Sequence, residues 1–317
     1  MFNVSRNILI MFSFEKLFEK EWYFRKYLKI LSLLRQEQIA ENVLLEHRVK
    51  KQYEEVFHKK LHLRSPKSLN EKLIWLSLYW RHPLKTMCAD KVKVRDYVRQ
   101  KGLSEILTPI LGIYESSDDI HVEELPSCFV LKCNHGCAYN IVVKDKEKTD
   151  FTLVKQQLDD WLAETYKGNV SEIHYKDISP HLILCEEYLC RNGQDELVDY
   201  KIHCLNGQPE YIQVCHDRDE RGVAHRASYS LDWKPLHYFT EPECVMEKPK
   251  SLEHMVEYAK VLSQDFPYVR VDFYEVDEKP VLSELTFTPF GNMIYWVKED
   301  VMEMLGAKLI LPSPYKV

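Results

Sequence analysis

The sequence predicts an α+β protein in which a helical N-terminal part precedes a mixed helix-and-strand body. Two observations carry this. Apolar residues recur near a 3.6-residue period up to Gly102 and near a two-residue period afterwards. The later strands are interrupted by only two helical stretches, at 152–166 and 252–262, too few to alternate strictly with strands as a parallel sheet requires.

Taken in order, residues 14–60 read as helical. Phe14, Leu17, Phe18, Trp22, Leu28, Leu31 and Leu34 form a stripe, with Lys16, Lys20, Arg25, Lys26 and Lys29 between them. A basic amphipathic helix can lie on a membrane, whereas an aromatic stripe can pack on the body or on a second copy of the chain. Glu15, Glu19 and Glu21 dilute the basic face and favour packing, so a homodimer contact is one expected role. Ser68 and Glu71 have the spacing of a capping box, opening a helix that runs to Tyr79. A further helix is expected from Ala89 to Gln100, stopping at Gly102. Strands are expected at 129–132, 140–143, 182–187, 198–204 and 211–215, with a late hairpin of 268–276 and 280–287.

Composition narrows the function. The 317 residues are 45% hydrophobic and 29% charged, an ordinary globular balance. Net charge is −6, which argues against a sequence-independent nucleic-acid binder. Only 9 glycines occur, and neither G-x-G nor G-x-x-x-x-G-K is present, excluding the dinucleotide fingerprint and the Walker loop. The 9 cysteines include no C-x-x-C pair and read as reduced thiols, so a cytoplasmic location is expected. No apolar run approaches the ~18 residues of a membrane span; residues 7–14 behind Arg6 lack a small-residue cleavage site and run into Glu15 and Lys16.

The late hairpin concentrates the chemistry. Alternation in YVRVDFYEV puts Arg270, Asp272 and Tyr274 on one face, and in PVLSELTFTPF it puts Glu284, Thr286 and Thr288 together. With a three-residue loop of Asp277, Glu278 and Lys279, Asp272 faces Glu284 and Arg270 faces Thr286. Two carboxylates about 5 Å apart need something positive between them. Oxygen-only ligands of this kind suit Mg²⁺, which completes its shell with water and phosphates. The same alternation also describes an exposed hairpin whose charges face water, and the hairpin alone leaves both readings open.

Upstream, FVLKCNHGC places Lys132 at the end of an apolar strand, beside a polar turn, from which it can reach a phosphate. Cys133, His135 and Cys137 lack the spacing of a zinc site. LILCEEYL is a buried-looking strand ending in Glu186 and Glu187, whose exit can bind a flat ring edge through main-chain groups.

Together these pieces resemble the ATP-grasp superfamily, specifically its TupA-like branch associated with polysaccharide biosynthesis. SLNEKLIWL, ADKVKVRDYV, FVLKCNHG, EEYL, DYKIHCLNGQPEYIQVCHDR and RVDFYEV with ELTFTPFGN occur in that order between about Pro66 and Gly291. The resemblance implies an ATP-grasp fold with a helical N-terminal extension at 1–65. The body would divide into an N-terminal part (66–125), a central lid subdomain (126–190) and a C-terminal subdomain carrying the metal hairpin (191–317).

By the same resemblance, Lys91 and Lys132 would touch the ATP phosphates under a covering loop containing His135 and Gly136. Glu186 and Glu187, with the main chain of Tyr188 and Leu189, would hold adenine and ribose. Asp199-Tyr200-Lys201 is similar to the D-x-R step of glutamate-adding ligases, so Asp199 would lie at the nucleotide and Lys201 and Arg218 would grip the γ-phosphate or acyl phosphate. Asp272, Glu284 and Thr286 would carry Mg²⁺, with Thr286 standing where the superfamily usually has asparagine, and Arg270 would neutralise the transferring group. The implied activity is an ADP-forming carboxylate–amine ligase acting through an acyl phosphate. Its implied substrates are a uronic-acid sugar, as nucleotide sugar or polymer, and an amino acid or small amine. The alternative is a glycosyltransferase or other carbohydrate-modifying enzyme, whose usual D-x-D motif occurs at Asp217-Arg218-Asp219.

Overall fold

The computed structural model describes residues 25–30, 37–166, 168–190, 197–218 and 224–314, the side chains of Glu37, Gln38, Ala40, Asp217, Arg218 and Ala224 excepted. The chain divides into two compact units, Met1–Lys60 and Leu61–Val317. In the first, residues 25–30 and α1 (Glu37–Phe57) are helical, as the periodicity predicts. The rest of the expected stripe, from Phe14 to Trp22 with Leu31 and Leu34, and the 7–14 stretch lie outside the described residues. No described helix is long and apolar enough to cross a membrane.

The second unit opens with α2 (Leu69–Tyr79). The Ser68 hydroxyl accepts from the Glu71 amide at 3.3 Å, and the Glu71 carboxylate accepts from the Ser68 amide at 3.2 Å, closing the capping box. Where the periodicity predicts a helix over 89–100, α4 (Val94–Gln100) is found, and a separate unexpected helix, α3 (Pro83–Ala89), ends where it was to begin. The break is local chemistry: the Asp90 carboxylate accepts from the amides of Val92 and Lys93 at 2.9 and 3.2 Å, so the chain turns instead of continuing the helix. Lys91 sits in this turn.

Two antiparallel sheets follow. The first has the order β1–β4–β2–β3, from β1 (Ile110–Tyr114), β2 (Phe129–Cys133), β3 (Asn140–Val143) and β4 (Ile183–Glu187). Helix α5 (Phe151–Ala163), N-capped by Asp150, covers it, and Phe129, Leu131, Ile183 and Cys185 pack with Val154 and Leu158. The second has the order β7–β6–β5–β8–β9, from β5 (Asp199–Leu205), β6 (Gln208–Arg218), β7 (Ala224–Tyr229), β8 (Tyr268–Val276) and β9 (Lys279–Thr286). On one face Ile202, Cys204, Val269 and Val271 pack against Met255, Ala259 and Leu262 of α6 (Leu252–Ser263). The other face is polar and carries the site. Helix α7 (Glu299–Lys308) closes the chain against α2, where the Lys72 ammonium donates to the Leu309 carbonyl at 2.6 Å.

The β8–β9 hairpin departs from expectation in its turn. Val276 pairs with Lys279 around a two-residue turn, with Asp277 at φ 50° and Glu278 at φ 63°. A bulge between Asp272 and Phe273 then adds Ser283 to β9, and Asp272 faces Glu284 after all.

Candidate active site

Antiparallel pairing sets directly opposed residues on one face of a sheet. Lys201 of β5 opposes Asp272 of β8, which opposes Glu284 of β9, and Arg270 opposes Thr286. This row therefore converges by register alone. Asp272 is wholly buried, and Arg270 grips it through Nε to Oδ1 at 2.7 Å and Nη2 to Oδ2 at 2.6 Å. The Lys201 ammonium donates to Asp272 Oδ2 at 2.9 Å and lies 3.4 Å from Asp199. Arg270 Nη2 also reaches Thr286 Oγ1 at 3.0 Å and Glu284 Oε1 at 3.3 Å, and the Thr286 hydroxyl donates to Glu284 Oε1 at 2.6 Å.

The charges in this network hold one another. Burial alone would raise the pKa of Asp272, but Arg270 and Lys201 outweigh it and hold the carboxyl below its ordinary value. Burial alone would lower Lys201, and Asp272, with Asp199 and Glu284, outweighs it and raises it. Arg270 is likewise raised against its own burial, chiefly by Asp272.

Three acceptor sites of Asp272 are taken, one on Oδ1 and two on Oδ2; Glu284 Oε1 takes two donors, and Oε2 takes none among the described residues. A carboxylate offers about four acceptor positions. The Glu284 side chain is 40% exposed. The donor set is oxygen-only, has vacant positions on Glu284 and Asp272, and adds the Thr286 hydroxyl. It fits Mg²⁺, which needs one or two carboxylates and takes water and phosphate oxygens for the rest. No group of three or more His, Cys, Asp or Glu among the described residues is arranged as a protein-only metal cage.

The first sheet supplies a second cluster. Lys132 donates to Glu186 Oε2 at 2.6 Å, and Arg95 donates to Glu186 Oε1 at 3.0 Å and to the Thr108 carbonyl at 2.6 Å. Lys91 donates through its ammonium to the carbonyl of Gly136 and through its amide to that of Asn134. Burial lowers the Lys91 pKa, and the nearby Glu284 carboxylate opposes that shift. Lys91 therefore links the two clusters: it belongs to the β2–β3 loop by hydrogen bond and to the β8–β9 hairpin by charge.

The other expected positions are placed as follows. Gly136 lies where a Cβ would stand 2.7 Å from the Tyr139 ring and 2.8 Å from that of Tyr166. The His135 Nε2 lies 2.9 Å from the Trp161 carbonyl, and its ring stacks on His181 at 3.6 Å. At the exit of β4, Glu187 is exposed and its amide donates to the Pro109 carbonyl at 3.1 Å, with Tyr188 and Leu189 half-buried beside it. The side chain of Arg218, and the Asp217-Arg218-Asp219 motif with it, lies outside the described residues.

Sequence reading assigned no role to Arg95, although it stands inside the ADKVKVRDYV segment. It also missed Lys85, buried on α3 and held near pKa 7 by burial and by Arg81. Lys85 neighbours His174, whose two ring nitrogens are buried without partners. Neither residue has a local sequence signal, because their proximity is made by α3 meeting the 173–177 turn.

This α+β body of two antiparallel sheets, with Lys91 within charge range of Glu284 on the hairpin, is that of the ATP-grasp class. The profile of the family described as TupA-like ATPgrasp matches residues 71–310, and the chain belongs to that family. No curated protein matches the chain. Among solved structures it is similar to the D-alanine–D-alanine ligase of Bacillus anthracis complexed with ATP, at 16% identity and a TM-score of 0.42, covering 74% of this chain and 63% of that one. It is also similar to the D-alanine–D-alanine ligase of Helicobacter pylori, at 15% identity and a TM-score of 0.42, over 71% of this chain and 62% of that one. A third is the N5-carboxyaminoimidazole synthase of Aspergillus clavatus in complex with ADP and its ribonucleotide, at 11% identity and 0.41, over 76% and 54%. The chain thus spans about three fifths of the length of the first two.

Proposed function

We propose that the protein is an ATP-dependent carboxylate–amine ligase. One observation carries the reading. Arg270 is locked by Asp272 and Thr286 through Nε and Nη2, which leaves Nη1 without a partner among the described residues. A guanidinium already oriented by a buried carboxylate suits a transferring phosphoryl group, because its alignment costs nothing at the moment of reaction.

In this reading a carboxylate oxygen of the acid attacks the γ-phosphorus of ATP, the bond to the β-phosphate oxygen breaks, and ADP leaves. The amine lone pair then attacks the acyl carbon. The carbon–oxygen bond to phosphate breaks, phosphate departs with the electron pair, and the ammonium nitrogen loses a proton to give the amide. Lys91 and Lys132 hold phosphate oxygens, and Glu186 fixes Lys132. Lys201 keeps Asp272 ionised and adds positive charge at the transfer point, as would Arg218. Glu187 and the main chain of Tyr188 and Leu189 receive the adenosine end. Asp272, Glu284 and Thr286 would hold Mg²⁺, which when bound offsets charge on the phosphates. The family resemblance supports a uronic-acid sugar as the acid, an amino acid as the amine and a place in surface-polysaccharide synthesis; the lid and metal subdomains at 126–190 and 191–317 are proposed on the same ground.

The test is coupled ADP release with a panel of uronic-acid sugars and amino acids. Release that requires both an acid and an amine, with an amide detected by mass spectrometry, supports the ligase. Transfer of a glycosyl group with no ADP formed would replace it with the glycosyltransferase reading.

A further inference from the structure

Beside the proposed catalytic row lies a patch that the ligase chemistry does not use. Phe290 and Tyr295 are exposed, at 53% and 59%, whereas the other Phe, Tyr and Trp rings among the described residues are buried or half-buried. Their rings stand 5.7 Å apart, and Trp296 lies 4.5 Å from Phe290 and 5.1 Å from Tyr295. Phe290 holds φ 51° and ψ 39°, a left-handed conformation that is costly for a bulky residue and tends to persist where function demands it. Gly291 and Asn292 continue in the same region, at φ 60° and 62°.

Arg226 joins this patch, its guanidinium centred 4.5 Å over the Trp296 ring. Its guanidinium makes no hydrogen bond or ion pair among the described residues. Trp296 itself is 7% exposed, and its indole N–H is buried without a partner. A guanidinium stacked on an aromatic face keeps its donors free, and an arginine fork matches the paired oxygens of a carboxylate or phosphate.

Register fixes the position relative to the catalytic row. Arg226 opposes Cys215, and Cys215 opposes Asp199, so Arg226 shares a face with Lys201 and Asp272. Two strand spacings separate β7 from β5 and three separate it from β8, about 10 and 14 Å between backbones. On the other side Phe290 follows Thr286 by four residues.

We propose that Arg226, Trp296, Phe290 and Tyr295 form a subsite for the far end of the acid substrate, which carries a second anionic group joined to a ring. Arg226 receives the anion and the exposed rings receive the ring face. This rests on the ligase reading for the identity of the reacting end, but not for the subsite. Two sources share the chemistry, the nucleoside diphosphate of an activated uronic acid and the neighbouring carboxylate of a uronate oligomer.

The experiment is calorimetric titration of the full chain with uridine diphosphate glucuronate, uridine diphosphate glucose, digalacturonate and free glucuronate, for wild type, Arg226→Met and Tyr295→Ala. Binding of one second-anion ligand at least tenfold tighter than glucuronate is expected. Each substitution should remove most of that advantage while leaving ATP affinity and the melting temperature unchanged. A preference for the uridine compounds identifies the diphosphate as the anion, and a preference for digalacturonate identifies the second carboxylate. No preference over glucuronate, or an undiminished preference in Arg226→Met, overturns the proposal. Arg226-dependent binding of uridine diphosphate glucose without any turnover would keep the subsite and sink the ligase. Turnover of glucuronate with no second-anion preference would do the reverse.

Discussion

Arg270 holds Asp272 with two hydrogen bonds from one strand, Nε to Oδ1 at 2.7 Å and Nη2 to Oδ2 at 2.6 Å, two residues apart on the same face of β8. The carboxylate that faces the site is thereby a fixed part of the arginine's support, and Lys201 braces it from β5. Arg270→Lys keeps the charge but loses the fork, because an ammonium cannot bridge both oxygens in one plane. Turnover should fall about 10²-fold or more, with a smaller change in stability. Steady-state kinetics beside a thermal melt check this; equal losses in both would make Arg270 merely structural.

The same pair predicts an acid limit to stability. The folded pKa of Asp272 lies below its ordinary value of 3.8, so its contribution is complete above that value and is lost as pH falls through the lower folded value. Urea melts between pH 5 and 2 should show wild type losing stability that Asp272→Asn does not lose. The difference between the two should vanish at the acid end.

Lys85 predicts the opposite slope. Its pKa falls from 10.5 to about 7 on folding, so the unfolded chain binds the extra proton between those values and stability rises with pH across that window. Below pH 7 the penalty is complete, roughly a few kcal/mol at about 1.4 kcal/mol per pH unit. Lys85→Met should therefore stabilise the protein at pH 6, with a gain that shrinks toward pH 10. A gain independent of pH would show that Lys85 carries no such penalty.

Glu186 separates two roles within one cluster. Lys132→Met leaves Glu186 paired with Arg95, so the fold should survive while ATP binding weakens at least tenfold in a titration. Glu186→Gln strips both cations of their buried partner and should cost about 3–5 kcal/mol. Retention of full ATP affinity by Lys132→Met would remove Lys132 from the phosphate site.

Gly136 bears on the covering loop. An added Cβ would meet the rings of Tyr139 and Tyr166 at 2.7 and 2.8 Å, contacts that packed aromatics cannot relieve cheaply. Gly136→Ala should displace the carbonyl that receives Lys91 and raise the KM for ATP severalfold, with the KM for the acid little changed. An unaltered KM for ATP would show the loop to be indifferent to that carbonyl.

Much of this was legible before any coordinates. The capping box at Ser68 and Glu71, the strand at 140–143 and the facing of Asp272 with Glu284 are local matters of spacing and alternation, which a sequence records directly. Even there the reason differed, since a shorter turn and the extra residue Ser283 offset each other. The helix expected over 89–100 starts late, at Val94, because an aspartate side chain out-competed the helix for two amides, a contest that periodicity does not register.

What the sequence determined by itself was a set of residue types on given faces: an arginine, an aspartate, a glutamate and a threonine along two strands, and lysines at the ends of others. Tertiary structure decided their partners. Lys201 met Asp272 because β5 pairs with β8, 71 residues away in the chain, and Arg95 met Glu186 across 91 residues of chain. Arg226 and Trp296 came together the same way. Alternation fixes which side of a strand a residue faces, whereas strand order and helix docking are settled by the burial of the whole core, to which these polar residues contribute little.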